Sequence, residues 1–365
     1  MAFSVESTAA NLSTAANLST AANFQRHGTA TSFTSRMAKV PPAKVSSLAA
    51  LWAKNYIISV TTRDEAERLR KSADLAEITS QEGRIRTANH LKQTLKLASA
   101  QAWSLTETLL SEEVRRHGID LNVINPWQIA ADSHALFEKA LDAYGDRVTP
   151  RRLSVLVGGE FGRVRQKYTA DDPRAIGFVS MQFHYTGQTL LESLSSAERL
   201  LLEPYFKVMD DHLYMPLRAA YEAAANHPVT SPPLRAVQHL LPISTRIAQE
   251  VCKQICRQHP SYETYSGSLS TPQVRTSSIR DVEMFQVYLC LCVLEDSIQS
   301  VQRELFPLCA MLYPRLNVSW RLVQEMLQAI GWEMHDRLSP NDVSLFLPYL
   351  GALNEMFSNE VFQSA

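Results

Sequence analysis

The stretch FQVYLCLCVLEDSIQSVQRELFPLCAML, residues 285–312, decides the fold class. Its long apolar runs hold Cys290, Cys292 and Cys309 at positions that we interpret as buried core. Working outward, apolar residues recur at helical spacing from Leu48 onward, with few signals typical of strands. We therefore predict an all-α fold, a multi-helix bundle preceded by a disordered N-terminal tail.

Helix starts and stops support this prediction. A hydroxyl followed three residues later by a carboxylate is the capping pattern of a first helical turn. The pattern occurs at Thr62 with Glu65, Ser195 with Glu198, Ser278 with Asp281, and Ser339 with Asp342. Stops are indicated by Gly118 after a basic turn, and by His227-Pro228 and His259-Pro260.

The N-terminal segment is of low complexity. The hexapeptide Ser-Thr-Ala-Ala-Asn-Leu occurs at residues 7–12 and 13–18, and a third copy starts at Ser19 and ends in Phe24. Small polar residues in a short repeat bury too little surface to offset chain entropy, so residues 1–44 are predicted to be disordered. The alternative is a short docking repeat.

The rest of the chain divides into three predicted regions. These are an N-terminal helical region at 46–144, a helical connector rich in Gly and Arg at 145–189, and a C-terminal helical bundle at 190–363. The segment from Arg147 through Gly187 in this connector holds five of the twelve glycines in the chain, which indicates close approach or sharp turns there.

Charge is nearly balanced overall, with 36 basic and 37 acidic residues, so no global field favours nucleic acid or membranes. The connector is the exception, because Arg147 to Arg174 contains seven basic and three acidic residues, a local net charge of +4. Arginine matches phosphate oxygens and guanine edges, and we predict a DNA-contact element here. Its candidate residues are Arg151, Arg152, Arg163, Arg165, Lys167 and Arg174. The alternative is that these cations form a solvated face or pair with carboxylates.

Other constellations favour structure over chemistry. Cys252, Cys256 and His259 fall on one helical face but lack the fourth ligand of a structural zinc site, so no metal is predicted. Asp210, Asp211 and His212 form a cluster without a second group to complete a catalytic set. Nucleotide, hydrolase and zinc-protease motifs are missing from the sequence, and we predict no enzymatic activity and no cofactor.

The cysteines and the apolar runs indicate the cellular compartment of the protein. Five cysteines in apolar helical stretches indicate reduced thiols, and no run approaches the roughly 20 apolar residues that a membrane span needs. The sequence therefore predicts a cytoplasmic protein without a membrane partner.

Three stretches resemble a known family. They are DPRAIGFVSMQFHYTGQTLLESLS at 172–195, LLEPYFKVMDDHLYMPLRAAYEAAA at 201–225, and SSIRDVEMFQVYLCLCVLEDSIQSVQRELFPLCAMLYP at 277–314. Over residues 46–363 the chain resembles the HetZ-type regulators of heterocyst differentiation in filamentous cyanobacteria. The resemblance implies a transcription regulator that binds promoter DNA and associates with other differentiation regulators such as HetR.

Two functional hypotheses follow. The first is a DNA-binding transcriptional regulator of cell differentiation that acts through the basic connector while the C-terminal bundle forms a homo-oligomer or binds partners. The alternative is a non-enzymatic helical adaptor or scaffold, globin-like and linked to the photosynthetic apparatus. The discriminating feature is whether the connector arginines share one exposed face or are consumed in ion pairs.

Overall fold

The structure, a computed structural model, describes residues 43–57 and 75–358, with side chains from Leu48 onward. The helices of the first half are α1 (Ala43–Trp52), α2 (Leu75–Thr79), α3 (Gln81–Arg116), α4 (Pro126–Gly145), α5 (Pro150–Thr169), α6 (Ala175–Glu192) and α7 (Ser196–Tyr214). Those of the second half are α8 (Leu217–Ala225), α9 (Pro232–Leu240), α10 (Ser244–Gln258), α11 (Pro272–Glu295), α12 (Phe306–Arg315), α13 (Trp320–Arg337) and α14 (Pro340–Met356). The all-α prediction is confirmed.

Short elements complete the described chain. Turns of 3-10 helix span Ala53–Ile57, Leu121–Val123 and Leu241–Ile243, and a π-helical turn spans Val301–Leu305. Strands β1 (Glu263–Thr264) and β2 (Gly267–Ser268) form an antiparallel hairpin.

Helix α11 lies at the centre of the C-terminal half. Every residue from Val282 to Leu294 is buried, so the helix is enclosed on all sides rather than on one face. It packs against α8, α9, α10 and α14. It ends at Asp296, whose φ of 49° is left-handed and stops the helical hydrogen-bond pattern. The apolar stretch that decided the fold class is therefore the core, as predicted.

The N-terminal half packs mainly around α3, which runs along both α4 and α6. Phe137 of α4 joins the layers, because its ring stacks on Phe183 of α6 and meets Phe206 of α7 edge-on. The ring centroids lie 5.7 and 4.9 Å apart, within the range of favourable aromatic pairs. One contiguous hydrophobic cluster passes through all three regions that the sequence predicted, and the boundaries between those regions stay predictions.

The glycines of the connector allow close packing, as the sequence indicated. An added Cβ would lie 2.7 Å from His212 Nε2 at Gly158, 2.5 Å from Arg218 Cβ at Gly162, and 2.8 Å from Met311 Cε at Gly177. These distances are below ordinary contact, so α5 and α6 approach α7, α8 and α12 only because no side chain stands at these positions.

Helix boundaries match most of the predicted signals. Ser195 and Glu198 form a complete capping box, and Ser339 caps α14 through the amide of Asp342. Gly118 has a left-handed φ of 60° after α3. The predicted start at Ser278 is wrong: α11 begins at Pro272, because Pro272 presets the first turn and Thr271 precedes it in the extended conformation of an N-cap.

The remaining expectations concern the chain ends and membranes. The predicted disordered tail at 1–44 lies outside the described residues except for its last two positions, which fall in α1. The predicted cap at Thr62 also lies outside them. Within 43–57 and 75–358, no helix is long and apolar enough to cross a membrane.

Candidate functional site

The basic connector folds as α5 and α6, and α5 carries most of the predicted DNA-contact residues. Arg151, Arg152 and Arg163 are exposed, and no described carboxylate pairs with them. Arg152 and Arg163 are eleven residues apart, so they project from nearly the same side of α5. These three arginines, hereafter the outer arginines, are therefore available to a partner.

Arg165 has the opposite surroundings, and the structure corrects the expectation that it contacts DNA. The residue is only 5% exposed. Its Nη2 donates to Tyr288 Oη at 2.7 Å and to Glu304 Oε2 at 2.9 Å, within the π-helical turn. A buried cation that is paired with a half-buried carboxylate cannot reach a phosphate without breaking that pair and leaving the core. Arg165 ties α5 to the C-terminal half.

Lys167 and Arg174 are also engaged. Lys167 Nζ lies 2.7 Å from Asp132 Oδ2, although the Lys167 side chain is 46% exposed. Arg174 binds Asp172 through Nε and Nη2 and donates from Nη1 to the carbonyl of His117. The Arg174 guanidinium also holds the pKa of the Asp172 carboxyl below its usual range. The outer arginines thus have no acidic partner among the described residues, whereas the other three candidates are engaged.

The position of Arg151 and Arg152 is electrostatically unusual. Both lie in the first turn of α5, after the cap residue Thr149 and Pro150. Cations at a helix N-terminus oppose the helix dipole, typically at about 0.3–1 kcal/mol each. No described acidic residue in that first turn offsets them. An anion bound at this end of α5 would remove the unfavourable term.

A buried charge network lies on α7, inside the bundle. Lys207 Nζ donates to both oxygens of Asp211, at 2.9 and 3.0 Å, and to Glu283 Oε2 at 2.7 Å. Tyr56 donates to Asp211 as well, and Thr245 donates to Glu283. Burial alone would lower the pKa of Lys207, but the two carboxylates outweigh it and raise that pKa. The network joins the segment after α1 to α7, α10 and α11.

The cluster Asp210, Asp211 and His212 does not converge on one site. Asp211 pairs with Lys207, whereas Asp210 Oδ2 lies 4.0 Å from Arg280 Nη1. Burial raises the pKa of Asp210 to about 6. His212 points the other way, with its ring against Gly158. Consecutive helical residues diverge by about 100°, which explains the separation. The pocket that a catalytic reading of this cluster required is not formed by these three side chains.

A small cavity lies between α10, α11 and α13. It measures about 70 Å³. Its wall is mostly apolar, with Ser278, Asp281 and Arg275 at one edge, and burial raises the pKa of Asp281 to about 6. Binding pockets for ligands of drug size span roughly 300–1,000 Å³, so this cavity is too small for such a ligand. The volume suits a packing gap better than a substrate site.

The cysteines are all free thiols, and four of them are buried. Cys252 and Cys256 line the cavity, where burial raises the pKa of each thiol, whereas His259 pairs with Glu325. In the described part of the chain, no group of three or more His, Cys, Asp or Glu side chains is placed to hold a metal ion.

The comparisons with known proteins concern the C-terminal half. Residues 207–356 match the family model for phycobilisome proteins. The match begins within α7 and ends with the last residue of α14. No curated protein and no solved structure matches the chain. The phycobilisome-like segment is less than half of the chain, and the resemblance to HetZ-type regulators stays a prediction.

Sequence reasoning missed exposed apolar side chains in this segment. Trp332 on α13 is 65% exposed and Leu347 on α14 is 52% exposed. A signal existed for Trp332: the buried positions Leu327, Ile330 and Met334 recur at helical spacing, and Trp332 falls between them. Large apolar groups outside the buried stripe of a helix indicate contact surfaces when they cluster.

Proposed function

We propose that this chain is a non-enzymatic helical adaptor, globin-like in its phycobilisome-like segment and linked to the photosynthetic apparatus. The observation that carries the proposal is the match of residues 207–356 to phycobilisome proteins. That segment forms a run of packed helices from the second half of α7 to α14.

The surface of the segment supports binding to protein. Trp332 exposes about two thirds of its surface to solvent, although tryptophan is among the residues most enriched at the centre of protein interfaces. Among the described residues, the buried Lys207 is paired with Asp211 and Glu283, and the cavity between α10, α11 and α13 measures about 70 Å³. An adaptor needs an apolar contact surface, and Trp332 would contribute to one.

Co-sedimentation tests the proposal. The purified full-length chain is mixed with isolated phycobilisomes and separated on a sucrose gradient, and the bound fraction is measured by immunoblot. Trp332→Ala is compared with Trp127→Ala, which removes an 85% exposed tryptophan outside the phycobilisome-like segment. We expect wild type and Trp127→Ala to migrate with phycobilisomes, and Trp332→Ala to lose at least about tenfold in affinity.

Two results would overturn this proposal. If the wild-type chain stays at the top of the gradient, the link to phycobilisomes is wrong. If Trp127→Ala abolishes binding and Trp332→Ala retains it, the contact surface lies in the N-terminal half, and the matched segment is not the adaptor element.

The outer arginines support a second candidate function. In this candidate the chain is a cytoplasmic DNA-binding regulator of HetZ type that works with HetR. They are exposed and have no ion-pair partner among the described residues, and two of them occupy a helix N-terminus where a bound anion would offset the unfavourable dipole interaction. Three phosphate contacts would give a slope of log affinity against log salt of about −3.

Fluorescence anisotropy over a salt series tests this candidate with promoter-region and scrambled duplexes. The triple variant Arg151→Ala/Arg152→Ala/Arg163→Ala is the informative one, because Arg165 is required by the fold. We expect the variant to lose affinity and to show a shallower salt slope. Salt-independent or undetectable binding of wild type would remove this candidate and leave the adaptor proposal untouched.

A further inference from the structure

The outward face of α14 carries little charge, and it is exposed in the part of the chain that the structure describes. Six of the exposed or half-buried positions of α14 recur every three or four residues, and they are Ser344, Leu347, Pro348, Gly351, Ala352 and Glu355, hereafter the α14 face. Leu347 is 52% exposed at its middle. Five of the six residues are uncharged, which is unusual for the solvent side of a surface helix.

Gly351 lacks an internal reason to be glycine. An added Cβ would meet nothing within 4 Å, whereas Gly331 on the neighbouring helix faces Leu350 at 2.9 Å. Glycine in a helix interior is about 1 kcal/mol less favourable than alanine, so this position lowers the stability of α14 without a packing gain against any described residue. The open space above it fits the close approach of something outside the chain.

The α14 face is complementary in shape to a second α14 face that runs in the opposite direction. Its N-terminal part is bulky, with Leu347 and Pro348, and its C-terminal part is flat, with Gly351 and Ala352. We propose that a second copy of this chain packs antiparallel against α14, so that Leu347 of each copy lies over Gly351 and Ala352 of the other. Such a contact is two-fold and closed, so it yields a dimer rather than a filament.

Charge selects this orientation. Glu355 is the one charged residue of the α14 face. In a parallel pairing it would face its own copy, and like charges at that distance repel. In the antiparallel pairing it faces Ser344, whose hydroxyl now donates to the carbonyl of Asn341 at 2.8 Å and can turn to a carboxylate. The antiparallel dimer is therefore favoured over the parallel one.

Sedimentation of the purified full-length chain tests the dimer. Wild type is expected at about twice the 41.0 kDa mass of one chain at micromolar concentration. Leu347→Glu places a charge at the centre of the contact and is expected to raise the dimer dissociation constant at least about tenfold. Leu97→Glu, at a leucine of α3 that is 64% exposed, is the matched control and is expected to stay dimeric.

A charge-reversal pair tests the register. Residues 344 and 355 are separated by about 16 Å along their own helix, so they interact only between copies. Ser344→Glu is expected to weaken the dimer because two carboxylates then face each other. Adding Glu355→Lys to that variant is expected to restore dimerisation, and added salt is expected to weaken the restored dimer.

The outcomes separate cleanly. A monomeric wild type at all concentrations overturns the proposal, and so does a dimer that Leu347→Glu and Ser344→Glu leave unchanged while both remain helical by circular dichroism. Failure of the double variant to recover would refute the antiparallel register. None of these results depends on phycobilisomes, so the adaptor proposal stands or falls separately.

Discussion

The two faces of α5 carry the same residue types in opposite surroundings. The inner face holds Gly158 and Arg165, the first against His212 and the second in an ion pair with Glu304. The outer face holds Gly159, with nothing within 4 Å of an added Cβ, and Arg163, which is exposed. One helix thus contains two matched pairs, a glycine pair and an arginine pair.

The contrast teaches that position, and not residue type, decides what these side chains do. A step of one residue rotates the side chain by about 100°, and a step of two by about 200°, which moves it from the core to solvent. Each matched pair is therefore an internal control: the inner member tests how the fold is held, and the outer member tests what the surface is for.

The largest expected effect concerns His212, which packs on the inner face. Its Nδ1 donates to Val208 O at 2.8 Å, and burial lowers its pKa to about 4. In the unfolded chain the His212 ring takes up a proton near pH 6.5, whereas in the folded chain it stays neutral. The stability that the buried neutral ring contributes is therefore present above pH 6.5 and is lost as pH falls towards 4. The expected loss is on the order of 3 kcal/mol.

Urea unfolding of wild type and His212→Gln from pH 4 to pH 7.5 measures this term. The difference in unfolding free energy between the two proteins is expected to shrink as pH falls. Taking this difference cancels the contributions that other titrating groups make to the unfolding free energy. Asp210 and Asp281 are among these groups, and their raised pKa values increase the stability of the chain as pH falls. A difference that is constant with pH would show that His212 is not held neutral by burial.

The arginine pair gives the next effect. Arg165→Ala removes two hydrogen bonds and leaves Glu304, whose side chain is 29% exposed, without its cation. The expected loss is about 2 kcal/mol of unfolding free energy. Arg163→Ala is expected to change it by less than about 0.5 kcal/mol, as exposed substitutions usually do. Chemical denaturation at one pH and salt concentration compares the two.

Equal losses in the arginine pair would contradict the distinction between the faces. A loss confined to Arg163→Ala would mean that the outer face is covered in the folded protein, and the accessibility of the outer arginines to DNA or to an acidic partner would then be excluded.

Helix periodicity and caps were predictable from the sequence because they are local. Ser195 with Glu198, and Ser339 with Asp342, satisfy amides within their own first turns, so no distant residue is needed to place them. The predicted start at Ser278 was wrong because the tertiary fold extends α11 back to Pro272. A capping pattern inside a longer helix has no free amide left to satisfy.

The candidate site was less predictable, because exposure depends on distant partners. Arg165 differs from Arg163 through its bonds to Tyr288 and Glu304, which lie 123 and 139 residues away along the chain. The local charge of the connector therefore overstated its free charge. Its glycines were the better signal, because glycine inside a helix already indicates close packing, although the sequence does not say against which helix.

The inner glycine gives a smaller effect than its neighbouring side chains. Gly158→Ala would place a methyl group 2.7 Å from His212 Nε2, and that ring is held in place by its bond to Val208. We expect a loss of about 1–2 kcal/mol of unfolding free energy from overpacking. Thermal and urea unfolding measure it. A neutral result would show that His212 moves freely, which the double variant Gly158→Ala/His212→Ala would check.

The outer glycine gives the smallest effect, and its sign is reversed. Gly159→Ala adds a methyl group to open space in the middle of α5, so it is expected to stabilise the chain by about 0.5–1 kcal/mol. Urea unfolding at one pH measures this gain. A loss of stability would mean that this space is occupied in solution, because the described residues offer nothing there to clash with. Since Gly159 lies between Arg152 and Arg163, that result would mean that the outer face of α5 is covered.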